Sequence, residues 1–268
     1  MKFYAIAVYS FLYIPIAIIA LFSFSAGRSA SSFQGFSTEW YGRALRNPFV
    51  MEALGTSLKV AFLSAVLATV FGTMAALALT GMRGRLRAVF DTLVLIAVMI
   101  PGVVIGIAAL IALVTVFNAV NPVLEALMGQ RLSLGFGSLV GVHGMFTMSL
   151  VLLLVRGRLE TFDRSQIEAS NDLGANPFWT FVQVTLPQIA PAILAGFLLA
   201  FTFSFDDFIM AFFVSGSETT LPIYIFSSIR RGVTPEINAI GTMVMVASLI
   251  LLIIAQVLLR MGAPQAKE

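Results

Sequence analysis

Two adjacent carboxylates interrupt an apolar stretch of the sequence, and their type and position suit chemistry on a cation or a proton. Asp206 and Asp207 follow an uncharged run over 189–205, and apolar residues continue from Phe208. Carboxylates at membrane depth are costly and are usually functional. Lys59 is the only basic residue placed in or at such a run, so we expect no ion-pair partner for them within the chain.

A single helix over 189–214 would place a small, polar set of residues on one face. The set comprises Ala200, Ser204, Asp207, Ala211 and Ser215. Such a face suits a translocation pathway, with Asp207 and Ser204 as the candidates for contact with the cargo. Asp206 lies about 100° around the helix from Asp207, so the two carboxylates are expected to have different partners. A structural role for one of them, as the cap of a broken helix or in pairing with a second subunit, stays open.

The sequence offers few of the side chains that enzymatic catalysis or metal binding would need. The chain has no cysteine, which excludes a thiol nucleophile and Cys-ligated metal, and His143 is its only histidine. A Ser-His-Asp site would therefore have one candidate base, and we expect His143 to be a hydrogen-bonded residue between helices. An ion-coupled transporter with Asp206 and Asp207 as a proton relay stays an alternative. An aspartyl hydrolase is disfavoured, because adjacent aspartates on a helix do not face each other.

The composition indicates that these residues lie in a lipid bilayer. Hydrophobic residues make up 59% and charged residues only 11% of the 268 residues, which excludes an ordinary soluble domain. The net charge is only +3 and no basic block occurs, so nucleic acid is not an expected partner. The uncharged runs predict one all-α membrane domain over 1–268. Its six spans are predicted at about 3–24, 53–82, 90–117, 133–155, 189–214 and 236–260.

The distribution of charge predicts the orientation of the spans. Arg83, Arg85 and Arg87 crowd one very short loop, where the positive-inside rule is strongest. With six spans, both termini share the side of that loop, which predicts cytoplasmic termini. The first run resembles a signal peptide at Ser25-Ala26-Gly27, but it is longer than a usual signal core, so we expect it to be retained.

The segment 156–188 is long for a loop and carries strong local structure signals. Gly174 is placed to end one short helix, because glycine adopts the left-handed conformation readily. Asn176 and Pro177 are placed to begin a second helix, as cap and first residue, that ends near Pro187. This second helix presents Phe178 and Trp179. Such aromatic residues usually mark an interface with a partner, although folding back on the bundle or lying in the lipid interface stays open.

The spacing of this loop resembles the EAA loop of ABC-importer permeases of the binding-protein-dependent type. The matching residues are Glu168, Ala169, Gly174, Val184, Leu186 and Pro187. The resemblance implies a type I ABC-importer permease fold in a bacterial inner membrane, with this loop as the cytoplasmic coupling helix. It also implies docking of two ATP-binding cassette subunits, a homologous permease subunit and a periplasmic substrate-binding protein. The sequence has no Gly-x-x-x-x-Gly-Lys-Ser/Thr loop, so we expect ATP to be used by the partner subunits and no cofactor, metal or catalytic residue in this chain.

Several further runs resemble the permeases of spermidine/putrescine importers. They are Phe36–Tyr41, Phe203–Asp207, Leu221–Tyr224 and Gly232–Ala239. The resemblance implies that Trp40, Asp206 and Asp207 serve polyamine passage; Trp40 would attract an ammonium over its ring, or else anchor the chain at the membrane interface. Gly102 departs from the pattern, because an acid is expected just after Pro101. An amine of lower charge, such as putrescine, an opine or an aminobutyrate, therefore stays open as the cargo.

Overall fold

A computed structural model describes residues 2–27, 32–163 and 165–261, and this part of the chain is almost entirely helical. The helices are α1 (Lys2–Phe22), α2 (Glu39–Arg46), α3 (Pro48–Gly81), α4 (Gly84–Met99), α5 (Gly102–Met128), α6 (Phe136–Glu160), α7 (Ser165–Asp172), α8 (Pro177–Thr180), α9 (Leu186–Asp206), α10 (Ile209–Val214), α11 (Leu221–Arg231) and α12 (Pro235–Met261). A π-helix, Phe181–Thr185, joins α8 to α9.

Six helical stretches of the described residues are long and apolar enough to cross a membrane. They are Tyr4–Phe22, Pro48–Gly81, Gly102–Met128, Phe136–Glu160, Pro177–Asp206 and Pro235–Val257. The predicted all-α fold with six spans is therefore confirmed.

The predicted third span over 90–117 is wrong in its bounds. The chain leaves the helical conformation at Ile100, and a new helix begins at Gly102. Pro101 explains the break, because proline lacks a backbone N–H and disfavours the helical conformation of the residue before it. Helix α5 then continues through Pro122 to Met128, well beyond the predicted end at 117.

The predicted ends of the helices around the fifth span are also wrong. The helix that begins at Pro177 does not stop near Pro187 but runs through the π-helix into α9. A π-helix is wider than an α-helix and often forms where the regular hydrogen-bond ladder is disturbed, and Pro187 lies two residues after its last residue, Thr185. At the other end, the span breaks at Asp207, before the predicted 214.

The chain forms two compact units. The first consists of the described residues up to Ser57 together with Thr219–Leu249. Within it, Asn47 donates a hydrogen bond from Nδ2 to Oε1 of Glu236 at 3.0 Å, and the backbone N–H of Leu221 donates to Ser57 Oγ at 2.8 Å. These contacts join α11 and α12 to the segment that begins α3.

The second unit contains Leu58–Glu218 and the described residues from Ile250, and it holds the carboxylate region. Its core forms where α6 packs against α9 and against the small residues of α3. Gly72 lies so close to α6 that an added Cβ would meet the Met148 carbonyl oxygen at 2.8 Å. At Gly106 of α5, a Cβ would meet Phe213 Cδ2 at 2.7 Å. Small residues here allow close helix packing, as in other membrane bundles.

Candidate functional site

Asp207 lies at a break in the membrane span. It has extended backbone angles, φ −72° and ψ 121°, between the end of α9 at Asp206 and the start of α10 at Ile209. Its Oδ2 accepts a hydrogen bond from the backbone N–H of Ala211 at 3.0 Å, so the Asp207 side chain caps the first turn of the short α10 from the position before the N-cap residue, Phe208. The predicted single polar face is therefore wrong, because Ala211 and Ser215 do not continue the helix that carries Ser204.

A buried histidine faces this carboxylate. His143 on α6 places Nε2 at 3.4 Å from Asp207 Oδ2 and Nδ1 at 2.8 Å from Ser204 Oγ. The side chain of His143 is only 1% exposed and Ser204 is 5% exposed, whereas the Asp207 side chain is 15% exposed. The predicted hydrogen bond between helices at His143 is confirmed. The Ser204–His143–Asp207 cluster thus combines two buried polar side chains, His143 and Ser204, with a partly exposed carboxylate, Asp207.

The partnership of His143 with Asp207 was missed from the sequence. The two residues are far apart along the chain, and the break at Asp207 turns its side chain away from the regular helix register. One signal was available, namely that the single histidine lies in the middle of an uncharged span. Polar residues in spans tend to find one another, because an unsatisfied group in hydrocarbon is costly.

The two adjacent aspartates have different surroundings. Asp206 is the last residue of α9 and is exposed, whereas Asp207 is half-buried against His143. Their contributions to a pathway are therefore expected to differ, with the structural cap assigned to Asp207.

Trp40 belongs to the other unit and is already engaged there. Its indole N–H donates to the Ser25 carbonyl at 2.9 Å, and the residue is 7% exposed. The Arg43 guanidinium lies 4.8 Å from the ring centroid, within the range of a cation–π contact. The ring thus already attracts a cation from its own helix, while a role in cargo passage stays a prediction.

The geometry of the segment between α7 and α9 confirms the two predicted helix signals. Gly174 has φ +81° in the left-handed region. Its N–H bonds the Asn171 carbonyl at 2.9 Å and the Ala175 N–H bonds the Ser170 carbonyl at 3.1 Å, which is a Schellman motif. Asn176 accepts from the Trp179 N–H at 3.0 Å, with Pro177 as first helical residue. At the start of α7, hydrogen bonds from the Ser165 hydroxyl and N–H lower the pKa of Asp163.

An apolar surface projects from this segment. Leu173 is 88%, Phe178 65% and Trp179 50% exposed. The rings of Phe178 and Trp179 contact edge to face with their centroids 5.6 Å apart, and their exposure shows that at least half of each residue stays clear of the described bundle. We call Leu173, Phe178 and Trp179 the aromatic knob; Leu173 is the member that was not predicted as part of it.

The remaining EAA-loop residues lie around the aromatic knob. Ala169 and Pro187 are exposed, and Leu186 packs at the edge of the core. Glu168 is exposed at a cavity of ≈ 430 Å³, which Thr80, Phe181 and Thr185 also line. The Ser170 and Thr180 hydroxyls hydrogen-bond at 3.0 Å and hold α7 against α8. The segment is thus an ordered platform that presents an apolar surface.

A comparison with protein families agrees with this combination of six spans and an exposed ordered loop. The family described as "Binding-protein-dependent transport system inner membrane component" matches residues 68–267. The chain belongs to this family. The permease is therefore a multi-pass membrane protein and a transport subunit of the ABC-importer type.

Individual relatives cover most of the permease. It is 38% identical over 240 residues to the putrescine transport system permease protein PotI of Escherichia coli (strain K12), covering 88% of this chain and 82% of PotI. It is 37% identical over 255 residues to the spermidine/putrescine transport system permease protein PotC of the same organism, covering 95% and 91%.

A solved structure supports the fold of the permease. A chain of a bacterial alginate ABC transporter, in complex with an alginate pentasaccharide-bound periplasmic protein, aligns with a TM-score of 0.68. The identity is 15%, and the alignment covers 95% of this chain and 91% of that chain. At this identity the likeness establishes the helical architecture of an ABC-importer permease.

Proposed function

We propose that this chain forms part of the pathway by which an ATP-driven importer carries polyamines, putrescine foremost, across the bacterial inner membrane. The observation that carries the proposal is the Asp207 carboxylate, which is 15% exposed at the break of a membrane span. A carboxylate in low-dielectric surroundings attracts an ammonium more strongly than one in water. The names of PotI and PotC support this class of cargo.

The aromatic knob is proposed as the docking element for an ATP-binding cassette subunit. Exposed aromatic residues on an ordered platform suit the centre of a protein interface. Two such subunits would use ATP, and this chain would bind no nucleotide, metal or other cofactor. The pull of ATP binding on the platform would switch the spans between inward- and outward-facing states.

The remaining parts of the assembly follow from the same proposal. A homologous permease subunit would complete the pathway, and a periplasmic binding protein would deliver the cargo to its outer mouth. Both termini and the platform would lie in the cytoplasm. The complex of the alginate transporter with its periplasmic protein supports a binding-protein partner.

A second cargo class is favoured by Gly102. This residue begins α5 directly after Pro101, and a Cβ there would lie 4.0 Å from Ile209 Cγ2 of α10, the helix that Asp207 caps. A carboxylate expected at this position by resemblance is thus missing beside the site. One fewer negative charge favours a solute of lower charge, such as an opine or an aminobutyrate.

Uptake by the complete importer tests the proposal. Labelled putrescine is offered to cells, with spermidine, arginine, aminobutyrate and a neutral sugar as competitors. Asp207→Asn keeps an acceptor for the Ala211 N–H but removes the charge, so we expect at least a tenfold loss of uptake with normal amounts of protein. Glu125→Gln is the control, because it removes an exposed carboxylate paired with Arg131. Normal uptake by Asp207→Asn, or no uptake of putrescine by the wild type, would refute the proposal.

A further inference from the structure

The two oxygens of Asp207 have different surroundings. Oδ2 accepts the Ala211 N–H at 3.0 Å and lies 3.4 Å from His143 Nε2. Among the described residues, all hydrogen-bond and charge contacts of this carboxylate are made through Oδ2. Oδ2 therefore belongs to the scaffold, whereas Oδ1 makes no such contact with the described residues, and the side chain as a whole is 15% exposed.

The position of the proton on His143 follows from its neighbours. Nδ1 lies 2.8 Å from the Ser204 hydroxyl, which either donates or accepts. If the serine donates, the ring proton is on Nε2 and points toward Asp207. The opposite tautomer would place the Nε2 lone pair against a carboxylate oxygen, which is repulsive in a buried site. The geometry therefore favours a ring that carries a proton on Nε2.

In this arrangement, both acceptor positions of Asp207 Oδ2 are assigned to donors of this chain. A carboxylate oxygen has two lone-pair sites; one accepts the Ala211 N–H, and we assign the other to the His143 Nε2–H. His143 Nε2 has no hydrogen bond within the described residues, and burying it without an acceptor is costly, so Oδ2 at 3.4 Å is its available acceptor. The pair lies at 3.4 Å without the alignment of a hydrogen bond, so a small rotation together with a slight approach would form one.

From this geometry we infer that His143 and Ser204 are specificity-determining positioning residues, which restrict the cargo to primary ammonium groups and reject guanidinium groups. A primary ammonium is a compact charge that binds through one carboxylate oxygen. A guanidinium binds best as a fork on both oxygens, and here Oδ2 is already occupied. This inference rests on the proposed function, because it takes Asp207 as a group that meets the cargo.

The test compares transport of two cargoes that differ only in this group. Labelled putrescine and its bis-guanidino analogue 1,4-diguanidinobutane, which has no primary ammonium, are each offered at saturating concentration to the complete importer with one and the same binding protein. The ratio of their maximal rates reports the permease, and KM is recorded separately. For the wild type we expect putrescine to be favoured by about tenfold, equivalent to one charge-assisted hydrogen bond.

Variants of the positioning residues distinguish specificity from stability. His143→Leu removes the donor and frees Oδ2, so the ratio should fall several-fold through faster transport of 1,4-diguanidinobutane relative to putrescine. His143→Gln keeps an N–H at a similar reach and should restore the wild-type ratio. Ser149→Ala is the control, because Ser149 is also a buried polar residue of α6. A merely structural role would lower the transport of both cargoes and leave their ratio unchanged.

Each outcome decides between the proposals. Absence of putrescine uptake by the wild type would overturn the proposed function and this inference with it. Putrescine uptake with the same ratio in the wild type and His143→Leu would overturn the inference alone. If His143→Leu does not reach the membrane, Ser204→Ala replaces it, since loss of the hydroxyl releases the ring orientation; an unchanged ratio there also overturns the inference.

Discussion

The conformation of Gly174 leads to a sharp prediction about coupling. Its φ of +81° lies in the left-handed region, and its turn closes α7 through two backbone hydrogen bonds. A Cβ added at this residue would meet nothing within 4 Å. A substitution is therefore opposed by backbone strain within this chain and not by side-chain crowding.

The magnitude follows from that strain. Left-handed backbone costs an ordinary L residue about 1–2 kcal/mol, and asparagine tolerates it better than other non-glycine residues. If the turn rearranges instead, the Schellman hydrogen bonds are lost at about 1 kcal/mol each. Since about 1.4 kcal/mol corresponds to a tenfold change, Gly174→Ala should lower the equilibrium constant for the docking geometry by about five- to twenty-five-fold, and Gly174→Val by more.

Proteoliposomes with the complete importer allow this to be measured as cargo molecules transported per ATP hydrolysed. We expect the order Gly174, Gly174→Asn, Gly174→Ala and Gly174→Val, from most to least coupled. The amount of assembled complex is measured in parallel. Equal defects in the asparagine and alanine variants would refute the argument from φ, and normal coupling in the valine variant would remove Gly174 from the coupling element.

Two further predictions concern packing and capping. Gly106→Ala should destabilise the protein by about 1–3 kcal/mol through overpacking against Phe213, seen as a lower melting temperature in detergent. Gly102→Ala meets only ordinary contact at 4.0 Å and serves as control; equal destabilisation by both would contradict the close approach at Gly106. Asn176→Ala removes the cap of the helix that carries the aromatic knob, at a cost of about 1 kcal/mol. Faster hydrogen exchange confined to that helix is expected, and Asn176→Ser should largely preserve protection.

Much of the platform between α7 and α9 was predictable from the sequence, because the signals that shape it are local. The left-handed turn at Gly174 and the cap at Asn176 depend on residues within a few positions of each other, and both are confirmed. The number of spans was also predictable, since each span must satisfy its own backbone and present apolar side chains to lipid. The break at Pro101 was signalled by proline, although the division into two helices was not predicted.

The carboxylate site was decided by tertiary structure. The sequence located Asp207 in a span, but an ideal helix register placed it on a face with residues that the break in fact separates from it. Only the packing of α6 against α9 brings His143 beside Asp207 and Ser204. The physical reason is that helix periodicity and capping are properties of neighbouring residues, whereas the end of α9 and the pairing of buried polar groups depend on contacts between distant segments. The sequence by itself thus determined the spans and the local turns of the platform, and the tertiary structure determined which polar groups share the site.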